Sequence, residues 1–102
     1  MIIVTGEVRF GEGEIARLLP AFAANIAATR AEEGCEAYAY AVDVGDRNLL
    51  RVSERWRDQA AMDAHMGAAH MGELMAALGS AKIEAMKIDA YEADFLKTVL
   101  GG

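Results

Sequence analysis

Residues 49–70 read LLRVSERWRDQAAMDAHMGAAH, and within them the period of the chain changes. From Leu49 to Trp56 the pattern alternates, with Leu50, Val52, Glu54 and Trp56 on one face and Leu49, Arg51, Ser53 and Arg55 on the other. Side chains two residues apart share a face in extended chain, so this run predicts a strand. Asp58 suits a helix N-cap, because its carboxylate accepts from an otherwise unpaired backbone N–H and favours the positive helix end. Ala61, Met62, His65 and Met66 then recur at helical spacing. The only tryptophan and both histidines therefore lie on or just beyond a strand-to-helix junction.

Upstream of this stretch, residues 2–10 predict a strand, with Ile2, Val4, Gly6, Val8 and Phe10 on one face. After the turn Gly11-Glu12-Gly13, the residues Ile15, Leu18, Leu19, Phe22 and Ile26 form an amphipathic stripe. Pro20 lies inside that helix and predicts a kink or a late helix start. Gly34 is placed as its left-handed C′ stop. Cys35 to Val44 predicts a second strand with Glu36, Tyr38, Tyr40 and Val42 on one face, and Gly45 to Asn48 a hairpin loop. Downstream, Gly67 predicts a break. A second short helix then shows Met71, Leu74, Met75 and Leu78 on one side. Lys82 to Phe95 reads as a long last strand, apolar on parts of both faces.

The predicted order β-α-β-β-α-α-β is a split βαβ plan. It gives an α+β, ferredoxin-like fold with a four-stranded antiparallel sheet and helices on one face. One helix layer leaves one sheet face bare, and a second copy of the chain is its simplest cover, which predicts a homodimer.

A chain of 102 residues is read as one domain spanning residues 1–102. Its 54% hydrophobic content argues against disorder, while no run approaches the ~20 apolar residues of a membrane helix. The opening Met1-Ile2-Ile3-Val4 lacks the basic flank of a signal peptide. One cysteine excludes an internal disulfide and fits a cytoplasmic location. A net charge of −6 without a Lys/Arg cluster argues against nucleic acid or an anionic membrane as partner.

His65 is a candidate general base, since an imidazole with an unperturbed pKa of ~6.5 can take a phenolic proton near neutrality; alternatively it bonds to backbone at the helix end. His70, five residues on, lies ~140° further round an ideal helix, so the pair converges only if Gly67 bends the chain. Helical metal ligands usually sit at i, i+4, so no metal site is expected. Glu54 is either a buried acid or a structural partner of Arg9 or Arg51. Trp56, Tyr38 and Tyr40 could stack on an aromatic substrate or simply pack the core. Met62 and its companions Met66, Met71 and Met75 make an adaptable core or a lining for a flat apolar ligand. Cys35 has no basic neighbour in sequence and reads as a small filler.

Gly34-Cys35 with Tyr38, Glu54-x-Trp56-x-Asp58-x-x-Ala61, His65 and His70 together resemble the antibiotic-biosynthesis-monooxygenase family over essentially the whole chain. The resemblance implies a dimeric ferredoxin-like α/β barrel with a pocket between helices and sheet in each subunit. Family members include quinol and anthrone oxygenases that use no cofactor, because the electron-rich substrate itself reduces oxygen. The haem-degrading branch is resembled least, since Gly6 stands where it has an asparagine and His65 where it has a tryptophan. The leading expectation is a cofactor-independent monooxygenase acting on a quinol or polycyclic phenol, with His65 as base and Trp56, Glu54, His70, Tyr38, Tyr40 and Met62 around the substrate. Its rivals are a non-catalytic dimeric ligand-binding or stress-associated protein and a small isomerase on the same scaffold.

Overall fold

The computed structural model describes all 102 residues. Four strands, β1 (Ile2–Phe10), β2 (Cys35–Asp43), β3 (Asp46–Trp56) and β4 (Ile83–Glu92), alternate with helices α1 (Glu14–Arg30), α2 (Gln59–Met66) and α3 (Ala69–Leu78) in the predicted order. The strands form one antiparallel sheet in the order β2-β3-β1-β4. Val4 stands opposite both Glu54 and Ala90, and Glu54 opposite Tyr38, so these residues share a face. That face carries the core. Val8, Phe10 and Leu50 pack on Ile15, Leu18 and Phe22 of α1 and on Met71 and Leu74 of α3. A second cluster gathers Ile2, Val4, Tyr38, Trp56 and Ala61 at the other end.

Local chemistry explains the element ends. The Asp58 carboxylate accepts from the backbone N–H of Ala61 at 2.9 Å, the cap expected from its position. Helix α1 runs without interruption through Pro20. Its buried stripe is Ile15, Leu18, Phe22, Asn25 and Thr29, while Leu19 is exposed. The helix ends at Arg30, so Gly34 is not its C′ residue; it occupies the following turn, with a φ of 83°. The loop expected at residues 45–48 is shorter, since β3 already begins at Asp46.

Two bulges revise the predicted faces. Arg9 pairs with Ala85 but Phe10 with Ile83, leaving Glu84 as the extra residue. Ile83 thereby joins Met86, Ile88 and Ala90 on the helix side, and β4 is not apolar on both faces: its other side carries Ala85, Lys87 and Tyr91. The strand is also shorter than expected, because Ala93 to Phe95 lie beyond it. Likewise Cys35 pairs with Trp56 and Ala37 with Arg55, which leaves Glu36 unpaired in the ladder. Glu36 is therefore not on the Tyr38 face and meets Arg55 instead. The uncovered face is laced with such pairs, including Arg51 with Glu7 and Asp43.

Candidate functional site

Between the helices and the sheet lies a cavity of about 400 Å3, within the size range of small-molecule sites. Of its 21 lining residues 18 are hydrophobic, and the exceptions are Glu54, His65 and Asp89. Met62, Met66, Met71 and Met75 all face it, so the methionine series lines the cavity rather than filling it. β4 forms one wall through Ile83, Met86, Ile88 and Ala90.

His65 is held in the last turn of α2, one turn beyond Ala61, which is buried against the sheet. Its ring is only 1% exposed. Trp56 lies against it with ring centroids 4.7 Å apart, and Tyr38 meets it edge-on at 5.3 Å. Nδ1 lies 2.7 Å from Oε2 of Glu32, in the turn between α1 and β2. A carboxylate oxygen accepts, so Nδ1 donates and the lone pair of the neutral imidazole is on Nε2. Nε2 has no hydrogen-bond partner, and Glu32 lies outside the cavity wall that His65 helps form. The ring is thus anchored from behind and free in front.

Glu54 and Trp56, neighbours on one face of β3, are bonded to each other: the indole N–H donates to Oε1 of Glu54 at 2.9 Å. Burial pushes the Glu54 carboxyl above the usual carboxylate range, opposed by the indole bond and by nearby His65. Neither Arg9 nor Arg51 is its partner, since Arg9 binds Asp46 and Arg51 binds Asp43 and Glu7. Trp56 is fully buried and does not line the cavity; it backs His65 and Glu54 instead of presenting a face to a ligand.

Tyr38 and Tyr40 both reach the cavity, and their hydroxyls lie 2.6 Å apart. Asn25 of α1 donates from Nδ2 to Tyr38 at 3.0 Å and to Tyr40 at 3.1 Å. The Tyr–Tyr contact uses one hydroxyl hydrogen, and the other has no protein acceptor. Burial raises both phenols above their ordinary pKa, keeping them neutral donors. One hydroxyl hydrogen of the pair is therefore left without a partner within the protein.

His70 does not line the cavity. Helix α2 stops at Gly67 and α3 begins at Ala69, so the angle of an unbroken helix does not apply and both imidazoles converge on Glu32. His70 Nε2 is 2.8 Å from the same Oε2. The spacing of the two histidines gave no reason to expect a metal site, yet Glu32, His65 and His70 hold three potential ligand atoms within 4.8 Å of one another. Cys35 is half-buried, and burial raises its thiol pKa, which suits a filler.

Sequence reasoning missed Glu32 and Asn25. Asn25 left a signal, because it sits three residues after Phe22 and seven after Leu18, on the buried stripe. Glu32 left none: it is 33 residues from His65 and in a turn without periodicity.

A family model described as antibiotic biosynthesis monooxygenase matches residues 1–77. No curated protein matches the chain. Among solved structures, a Deinococcus radiodurans protein described as a candidate antibiotic biosynthesis monooxygenase is 27% identical with a TM-score of 0.90, the match covering 99% of this chain and all of that one. Another antibiotic biosynthesis monooxygenase is 26% identical with a TM-score of 0.83, over 92% of this chain and 99% of its own. A Pseudomonas aeruginosa protein is 26% identical with a TM-score of 0.81, covering 92% and 94%. No helix is long and apolar enough to cross a membrane.

Proposed function

Because the chain belongs to the antibiotic biosynthesis monooxygenase family, we propose that it is a cofactor-independent monooxygenase of a quinol or polycyclic phenol. The observation that carries this reading is His65, anchored through Nδ1 by Glu32 and unpartnered at Nε2, in the wall of an apolar cavity. Nε2 takes the phenolic proton, and Glu32 stabilises the imidazolium so formed. The free hydroxyl hydrogen of the Tyr38–Tyr40 pair donates to the substrate oxygen, where negative charge develops. The phenolate passes an electron to oxygen, and the two radicals combine at a ring carbon. Loss of water then leaves a quinone carbonyl: one oxygen atom enters the ring, the other leaves as water, and the ring supplies all four electrons. The methionine wall and Met62 position a flat ring and exclude water.

Gly6 supports the quinol reading over haem degradation. A Cβ at this position would lie 2.4 Å from the Lys87 carbonyl oxygen and 2.6 Å from Ile88 Cα, so β1 cannot carry an asparagine there while β4 stays in place.

We further propose that the protein acts as a homodimer through the uncovered sheet face, in the cytoplasm. Support comes from apolar groups that one chain leaves in water: Tyr91 on that face, and Phe95, Leu96, Val99 and Leu100 in the segment after β4. Oxygen uptake with a panel of hydroquinones and anthrones tests the function. Consumption of oxygen with one labelled atom appearing in a quinone product is the expected result. Binding of these compounds without oxygen uptake would instead identify a ligand-binding protein, and turnover without oxygen an isomerase.

A further inference from the structure

Glu32 is four-fifths buried, yet no lysine or arginine pairs with it; its only ionic partners are the two imidazoles. The turn fixes its backbone, with its N–H donating to the Thr29 carbonyl at 3.0 Å and its own carbonyl accepting from Cys35 at 3.2 Å. His65 closes the inner side at 1% exposure, while His70, at 21%, keeps the outer side in contact with solvent. The helix break at Gly67 is what aims the last turn of α2 and the first turn of α3 at one point. Two imidazoles and one carboxylate, with a path to water, form the donor set of a three-protein-ligand zinc site.

We propose that Glu32, His65 and His70 bind a divalent transition-metal ion such as Zn2+, entering from the His70 side and keeping a water on its fourth position. Ligand bonds of about 2.0–2.2 Å at tetrahedral angles place neighbouring donors roughly 3.3–3.6 Å apart. The present 2.7 and 2.8 Å contacts to Oε2 therefore open by roughly 0.5–0.9 Å, within the reach of a glutamate side-chain rotation. Binding replaces two hydrogen bonds to the carboxylate by metal bonds. Each neutral imidazole then moves its proton to its other nitrogen, so His65 carries hydrogen on Nε2. With its lone pair gone, that nitrogen takes no proton from a substrate. The metal is thus an inhibitor of the base, a consequence that rests on the proposed role of His65, whereas the binding itself does not.

Calorimetric titration of the tag-free, chelator-treated protein with Zn2+ tests the site, with Co2+ absorption reporting the geometry. One Zn2+ per chain, an increase in Tm and a tetrahedral Co2+ spectrum are expected. Glu32→Gln and His70→Ala should each weaken binding by about 10²-fold. Circular dichroism and unfolding curves establish that the variants are folded, and His70→Asn provides a second, polar replacement. Absence of binding by the wild-type protein overturns the site, as does binding left unchanged by both His70 variants. Zinc binding that leaves oxygen uptake intact supports the site and removes His65 as the base; failure of zinc to bind leaves the base assignment standing.

Discussion

Nδ1 of His65 lies 2.7 Å from Oε2 of Glu32, so a helix-end imidazole is oriented by a carboxylate from a turn 33 residues earlier. The pair has graded consequences for activity. His65→Ala removes the base and should lower turnover by about 10²-fold or more. Glu32→Gln still offers an oxygen to the Nδ1 hydrogen but no charge to stabilise an imidazolium, so its loss should be smaller. Glu32→Ala falls between them and also leaves a buried N–H unpaired, costing about 1–3 kcal/mol of stability. Steady-state oxygen uptake, alongside unfolding curves, checks the order. Unchanged turnover in a folded His65→Ala protein would sink the catalytic assignment.

The tyrosine pair is expected to behave redundantly. In either single phenylalanine variant the remaining hydroxyl can still accept from Asn25 and donate to a ligand oxygen. Each should therefore cost about 0.5–1.5 kcal/mol of stability with a modest change in KM. The double variant Tyr38→Phe with Tyr40→Phe loses the donor altogether, and its kcat should fall well beyond the product of the single effects. Simple multiplication of the two single effects would refute the shared donor.

The sequence displays what is periodic and conceals what is set by contact across the fold. Strand alternation, the Asp58 cap and the helix break at Gly67 each have a local cause, and each is legible. The bulges at Glu36 and Glu84 are not, because one extra residue in a strand leaves no mark in a short alternating run. They change which residues share a face, and so moved Ile83 and Glu36. The site divides similarly. His65, Glu54, Tyr38 and Tyr40 could be singled out as unusual residues on apolar faces, but the distance from His65 to Glu32 depends on how α1 ends relative to α2. Convergence of His70 on the same oxygen depended on the size of a bend that Gly67 permits but does not specify.

Glu54 should make stability depend on pH in the opposite sense to a paired surface carboxylate. Burial raises its folded-state pKa, so the native protein binds its proton more tightly than the unfolded chain does. Stability is then lost as pH rises from the unfolded pKa through the higher folded one. Glu54→Gln carries no charge at any pH and can still accept from the Trp56 indole. It should raise Tm at pH 7, with the gain vanishing near pH 4, in thermal melts across that range.

Gly34 is required twice over. Its φ of 83° disfavours any side chain, and a Cβ there would lie 2.6 Å from the Ala61 Cβ. Gly34→Ala should therefore cost about 1–3 kcal/mol. Adding Ala61→Gly removes the clash but not the backbone strain. Chemical denaturation should show the double variant recovering only part of the loss, after allowance for the cost of Ala61→Gly alone in a helix.

The uncovered sheet face should join two copies of the chain. Charge pairs alone would leave this face content in water, but Tyr91 is 54% exposed on β4, one of the two edge strands. Beyond the strand, Phe95, Leu96, Val99 and Leu100 are 70% to 90% exposed, an apolar surface a lone chain leaves in water. Covering these groups removes that penalty, and an obligate interface of this kind typically buries ~2,000 Å2 or more. Tyr91→Arg replaces an apolar contact by a cation that the interface would have to desolvate, and should weaken dimerisation by at least about 10-fold, roughly 1.4 kcal/mol. The fold should survive, because Tyr91 lies outside both core clusters. Sedimentation at micromolar concentration should find a wild-type dimer and a variant shifted towards monomer; a wild-type monomer there rules the dimer out.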